Sequence, residues 1–254
     1  MPPLSRVTHV SLPLSRGGRA RGTGRGGRGV RPIYSPTMTG LLLALDTGSP
    51  RVSVALSQDG HLLAERSVEI DRSSGRLLDM IAEVLAEAGA KPADLGGVLA
   101  LQGPGSFTGL RIGLATALGL HQALGVPATA ISTLRVLAAR AAEPGTIVAA
   151  VDALRGEWSA QAFRGDEPLS GMELVHGDNL PFFVPGGLFP QAMAITGFGV
   201  SRLETLPEIR LIEGGPLAAT ALRLAPAEWD SDLLIHPLYS RPPSITQPRP
   251  RNLS

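Results

Sequence analysis

The run Gln102-Gly103-Pro104-Gly105-Ser106-Phe107-Thr108-Gly109-Leu110-Arg111-Ile112-Gly113 is the stretch best suited to hold a ligand. A buried strand ends at Leu101, Gly103 and Gly105 flank Pro104 in a turn, and Ser106 is placed to cap the helix that follows. Backbone N–H groups left free at such a helix start suit a phosphate or carboxylate; a tight turn that binds nothing is the competing reading. No Gly-Lys-Ser/Thr follows and the G-x-G-x-x-G spacing is absent, so this is neither a Walker loop nor a dinucleotide fingerprint.

Asp46 and Asp152 form a second constellation, each ending the first strand of a half of the chain. Two acids facing a shared cleft could hold a hydrated metal on a nucleotide; capping their own hairpin turns is the alternative. A phosphotransferase would also need a second phosphate loop after Asp152, and Ala153-Leu154-Arg155-Gly156-Glu157 supplies one glycine. Asp46-Thr47-Gly48-Ser49 matches the loop of aspartic proteases, whose chemistry needs two aspartates sharing a proton. There is no second Asp-Thr/Ser-Gly, so that chemistry would need a symmetric dimer. His9, His61, His121, His176 and His236 lack metal-ligand spacing, so no metal site is expected. His121 reads as a packed or interface residue. Ser106 has no His or Lys companion and reads as a cap, not a nucleophile.

Periodicity supplies the elements that would position these groups. Leu41 to Asp46 reads as a buried strand, Val52 to Leu56 as an alternating one, and His61 to Val68 as a third after the Asp59-Gly60 turn. Leu77, Leu78, Ile81, Val84 and Leu85 share one face of a helix capped within Asp71 to Ser74 and closed by Gly89. Leu95 to Leu101 leads into the glycine turn. Behind it a helix runs from Phe107 to about Gly125, with Gly109, Gly113 and Ala117 four apart on a bare face that lets something pack very close. Ala128 to Ile131 is a short strand, and Ser132 caps a helix to Ala142.

The chain then starts again. Ile147-Val148-Ala149-Ala150-Val151-Asp152 repeats Leu41 to Asp46 at an offset of 106 residues, and Trp158 to Ala162 repeats the alternation of Val52 to Leu56. The echo implies two similar lobes around a cleft, 39–144 and 145–240. Short strands near Met172 to Val175 and Met193 to Thr196 and a helix over Pro216 to Leu224 make the second lobe a reduced one, and 241–254 a flexible tail.

With 254 residues, 43% of them hydrophobic, the chain can bury one large core or two small ones, and no apolar run reaches the roughly 18 residues of a membrane span. The absence of cysteine excludes disulfides, thiol catalysis and cysteine metal sites. A soluble cytoplasmic protein is the default. The net charge of +1 hides an uneven distribution: seven arginines lie in residues 1–39 and three in 241–254, with no acid in either, which leaves the body at −9. Such a body is a poor duplex binder and would meet nucleic acid through a basic partner. Residues 1–38, with their arginine-glycine run from Gly17 to Gly29, are too poor in apolar side chains to fold alone. An RNA-binding tail, an acid-free transit peptide and a leader upstream of a working start at Met38 all fit. One lysine against 22 arginines suggests GC-rich coding and favours the last.

Gly103 to Gly113 followed by Ile131-Ser132-Thr133-Leu134 resembles the TsaB (YeaZ) family. Leu43-Ala44-Leu45-Asp46-Thr47, Val151-Asp152-Ala153 with Gly156-Glu157, and Pro237-Leu238-Tyr239-Ser240-Arg241 extend the likeness over Leu41 to Arg241. The resemblance implies a duplicated α/β fold of the actin-like, Hsp70-like ATPase (ribonuclease H-like) kind. It also implies a non-catalytic subunit in the synthesis of threonylcarbamoyladenosine beside the anticodon of tRNA. Such a subunit pairs with the catalytic TsaD protein, helps recruit the ATPase TsaE, forms a homodimer when alone, and meets tRNA only through the complex. No tightly bound cofactor is implied, beyond ATP or ADP with Mg at the complex interface. The family's usual histidine before the first long helix is replaced here by Ser73-Ser74-Gly75-Arg76.

On this reading Asp46, Thr47, Gly103, Gly105, Ser106 and Asp152 outline a vestigial nucleotide or phosphate cleft, with no catalytic residue and no metal. Leu77, Leu78, Ile81, Gly109, Arg111, Gly113, Ala117 and His121 outline a helical interface of roughly 800 Å² per partner, unless both helices are wholly buried against the sheet. Two further classes stay open: an independent hydrolase (protease-like, through Asp46) or phosphotransferase, and an RNA-binding protein using the leader.

Overall fold

The computed structural model describes residues 40–69, 74–182, 193–204 and 208–241. Met38, the leader, Ser73, the residues of the expected cap at 71–73 and those after Arg241 lie outside them.

Strand β1 (Leu41–Asp46) is buried along its whole length, as its unbroken apolar run requires of a strand covered on both faces. Strands β2 (Arg51–Gln58) and β3 (His61–Glu69) continue it as an antiparallel meander. Helix α1 (Leu77–Glu87) then crosses to β4 (Leu95–Gly103), which lies parallel to β1. Helix α2 (Phe107–Leu124) crosses to β5 (Ala128–Ser132), parallel to β4. The sheet order is β3-β2-β1-β4-β5.

Helix α3 (Thr133–Ala141) leads into a second sheet, where β6 (Thr146–Asp152) pairs antiparallel with β7 (Glu157–Arg164). The outer edge of β7 is shared by β8 (Glu167–Pro168) and β9 (Glu173–His176). On the other side β10 (Ala194–Gly197) and β11 (Arg210–Glu213) run parallel to β6. Read as β9-β7-β6-β10-β11, the second sheet repeats the order of the first. A meander followed by two parallel neighbours, made twice, is the duplicated ribonuclease H-like arrangement of the actin-like fold. Strand β11 carries no alternation the sequence reading detected.

Leu41, Leu43 and Leu45 point to one face of the first sheet, where α1 and α2 cover them. Leu42 and Ala44 point to the other, into a core shared by α3, α4 (Ala218–Arg223) and Ile147, Ala149 and Val151 of the second sheet. Among the described residues the far face of the second sheet, with Val148, Ala150, Trp158 and Ile195, meets only short turns and no α-helix. The start of α4 is fixed on the first sheet, where Ser53 Oγ accepts from the Leu217 and Ala218 amides.

Two local expectations change. Leu78 is 66% exposed and does not share the apolar face of α1. Met80, Ile81 and Val84 centre the buried arc, and Leu78 lies about a quarter turn away from it. Ser132 stands at the start of α3, but its hydroxyl makes no capping bond.

The segment after Ile235 returns to the first sheet. Gln102 Nε2 donates to His236 O at 2.7 Å, and Leu238 N donates to Gln102 O at 2.8 Å. Tyr239 stacks on Phe107 with ring centroids 4.8 Å apart. Arg241, assigned by sequence to a flexible tail, pairs with Glu157 and reaches Leu154 O. No described helix is long and apolar enough to cross a membrane.

Candidate functional site

A cleft of about 640 Å³ opens between the two sheets, lined by the β1–β2 turn, the turn into α2, the start of α3, Asp152, and the segment around Gly199, Arg202 and Glu213. Its first-sheet wall is built by backbone packed on backbone. Ser106 N donates to Gly48 O at 2.8 Å, and a Cβ on Gly105 would stand 2.6 Å from that same carbonyl. Ser106 Oγ accepts from Gly109 N at 3.2 Å, the expected cap.

The bare stripe on α2 has an occupant from the same chain. A Cβ on Gly109 would collide with Thr47 O, and one on Gly113 with Thr47 Oγ1. Thr47 Oγ1 donates to Gly109 O at 2.7 Å, so the β1–β2 turn sits in the stripe. Gly113 is buried by this contact, Ala117 within the core between α2 and the first sheet, and Leu77 and Ile81 by the sheet beneath α1. These four are not surface residues, which corrects their place in the expected interface. Gly109 is partly covered, and His121 is half-buried with Nδ1 2.7 Å from Val126 O. Leu78 and Arg111 do face outward.

The expected cleft residues divide. Gly105, Ser106 and Asp152 line the cleft. Asp46 and Thr47 lie buried behind the wall. Gly103 faces the segment after Ile235, where a Cβ would collide with Leu238 O. Asp46 Oδ1 accepts from the Gly48 and Ser49 amides, both at 3.2 Å, while Oδ2 has no partner. Burial pushes the carboxyl up to about 6 against the pull of its donors at Ser49 and Gly48. Asp152 is exposed and caps its own turn, accepting from Leu154 N at 2.7 Å, with Arg202 4.0 Å away. The two acids therefore do not meet across the cleft, and each serves its hairpin.

Groups that would greet an anion are engaged within the chain. Glu213 takes the amides of Gly199 and Ser201, Arg51 pairs with Glu69, and Ser106 N is spent on Gly48. No His, Lys or Cys is among the lining residues, and the carboxylates there are held by partners of their own, Glu69 by Arg51, Asp152 by the Leu154 amide and Glu213 by the Gly199 and Ser201 amides.

The outward side of α2 is a second stripe, Arg111, Ala115 and Gly119, also four apart and exposed. A Cβ at Gly119 would meet nothing within 4 Å. On α1 the exposed counterpart is Leu78, Ala82 and Ala86. Sequence reasoning chose the neighbouring glycine stripe and missed this one, although Arg111 and its four-residue spacing marked it. It also missed Glu213, Arg202 and Gln102, whose roles depend on long-range folding.

A family model described as TsaD, tRNA N6-adenosine threonylcarbamoyltransferase, matches residues 68–166. The tRNA threonylcarbamoyladenosine biosynthesis protein TsaB of Escherichia coli K12 is 34% identical over 129 residues, covering 50% of this chain and 56% of that protein. TsaB of Bacillus subtilis 168 is 33% identical over 118 residues, 46% of this chain and 52% of that one. The chain thus spans about half the length of the curated relatives it matches. A crystal structure from Pseudomonas aeruginosa, described as similar to peptidase YeaZ, aligns with a TM-score of 0.66 and 28% identity over 80% of this chain and all of the other. YeaZ of the same organism aligns at 0.60 and 29% over 72% and 89%. Sequence likeness over half of the chain, and a fold shared along nearly the whole of those structures, agree: the chain is similar to the TsaB (YeaZ) proteins.

Proposed function

We propose that the chain is a non-catalytic subunit in the synthesis of N6-threonylcarbamoyladenosine in cytoplasmic tRNA. It docks on the TsaD transferase through the outer faces of α1 and α2. The observation that carries this reading is that both helices expose small or apolar side chains at four-residue spacing, Leu78, Ala82 and Ala86 on α1 and Ala115 and Gly119 beside Arg111 on α2. Both helices pack on the same face of the first sheet, so one partner can cover them together. The cleft supports the same reading, since its carboxylates Glu69, Asp152 and Glu213 are each engaged by donors of the chain itself. The chain's own homodimer would use this surface, TsaE would be recruited to the assembled pair, and tRNA would be met through the complex. Any ATP or ADP with Mg would sit at the interface with the partner and not in the cleft, where the donors are already engaged.

Reconstitution of tRNA modification from purified components tests this. Leu78→Asp and Gly119→Arg change exposed side chains and should leave the fold intact while lowering stimulation of TsaD at least tenfold. Full stimulation by both variants would remove the docking claim. Asp46→Asn should keep most of the stimulation. A protease using two copies of Asp46 is opposed by the geometry, because the carboxyl is wholly buried.

A further inference from the structure

We infer that the segment 236–241 is a strap that links the outer face of α2 to the cleft turn after β6. Its first anchor is on the first sheet, where Gln102 bonds His236 O and Leu238 N. Its second is on α2. Tyr239 Oη accepts from Arg111 Nε at 3.1 Å, its ring stacks on Phe107, and the Arg111 guanidinium lies 3.9 Å from the centre of the Phe107 ring. Two residues on, the third anchor is in the second lobe, where Arg241 pairs with Glu157 and reaches Leu154 O at 3.5 Å.

The turn it reaches is one that needs holding. Leu154 and Arg155 have φ of 66° and 60°, left-handed values that L side chains resist, and Gly156 follows at 77°. Local bonds from Leu154 N to Asp152 Oδ1 and from Glu157 N to Leu154 O close the turn, and Arg241 clamps it from outside. Asp152, at the base of this turn, lines the cleft. Arg111 belongs to the same outward stripe as Ala115 and Gly119. A contact that moves Arg111 therefore moves Tyr239, and through Ser240 the Arg241 clamp on the cleft turn. The use of this link to report docking rests on the function proposed above; the link itself rests on the contacts within the chain.

Amide hydrogen exchange on the isolated chain tests the link without any partner, so its failure is separate from a failure of the docking claim. Arg241→Ala should speed exchange at Ala153 and Glu157 about twofold to fivefold, the size expected of a partly exposed ion pair. Arg111→Ala and Tyr239→Ala touch none of these residues and should speed the same amides to a similar degree. Adding either to Arg241→Ala should give no further change, and Glu157→Arg with Arg241→Glu should restore protection. Unchanged exchange at Ala153 and Glu157 in both Arg111→Ala and Tyr239→Ala would overturn the link. So would loss of protection spread evenly through β6 and β7, which would mark general destabilisation.

Discussion

Replacing Asp46 by Asn should remove a pH dependence of stability that the native carboxyl creates. The side chain has no exposed surface, and its acid form is favoured by the fold: its pKa rises from an ordinary 3.8 to about 6. A carboxyl raised on folding gives stability that is full below the unfolded value and lost as pH climbs through the folded one. At 1.36 kcal/mol per pKa unit the whole loss is about 3 kcal/mol, complete near pH 7, and roughly half of it falls above pH 5. Asn keeps an oxygen for the Gly48 and Ser49 amides and sets an NH₂ where Oδ2 now has no partner. That costs a fixed amount at every pH. The readout is therefore the difference between the two urea-unfolding free energies followed from pH 4.5 to 8. The native chain should lose ground to the variant as pH rises to 7, then run parallel to it. Parallel curves throughout would show that Asp46 titrates normally, and that the β1–β2 turn opens to water in solution.

The two α2 stripes make a matched pair of tests. Gly113→Ala should cost about 1–3 kcal/mol in urea denaturation, because the new methyl collides with Thr47 Oγ1. Gly119→Ala should raise stability by up to about 1 kcal/mol, since its Cβ meets nothing and alanine is the better helix former. Gln102→Ala removes the donor that holds the His236 and Leu233 carbonyls and should cost about 1–2 kcal/mol in the same assay.

What the sequence showed best were patterns whose cause is local. The apolar run of β1, the alternation of β2 and the Ser106 cap depend on neighbours within a few residues, and the 106-residue echo fixed the repeated opening of the second sheet. The glycine stripe was legible as a close-packing surface, but not what packs there. A residue pattern states that a Cβ is missing and is silent on whether the space is filled by a partner or by the chain's own Thr47. The Asp46–Asp152 pairing failed for a related reason. Equal positions in two repeats give equal topology, while burial depends on what covers each turn. Of the strap only Arg241 was assigned to a flexible tail, and none of its anchors was legible, because its partners Gln102, Arg111 and Glu157 lie 84 to 136 residues earlier in the chain.

The difference between the halves has a physical origin in their crossovers. After β4 the first half sends a full helix across the sheet, and Gly105, Gly109 and Gly113 let it close over the turn carrying Asp46. After β10 the second half has a short turn, Val200–Arg202, in the corresponding place. The turn carrying Asp152 is left open and is held by Arg241 instead. Glycine inside a helix costs about 1 kcal/mol against alanine. At Gly109 and Gly113 that cost is offset by the Thr47 contact. At Gly119 nothing among the described residues offsets it. On the docking proposed above, a closely approaching partner would return the stability that this exposed glycine gives up. Gly119→Ala should therefore strengthen the isolated chain, while Gly119→Arg should, on the docking proposed above, separate it from TsaD. If the arginine variant still binds, the exposed glycine has no docking role and the surface argument fails at its centre.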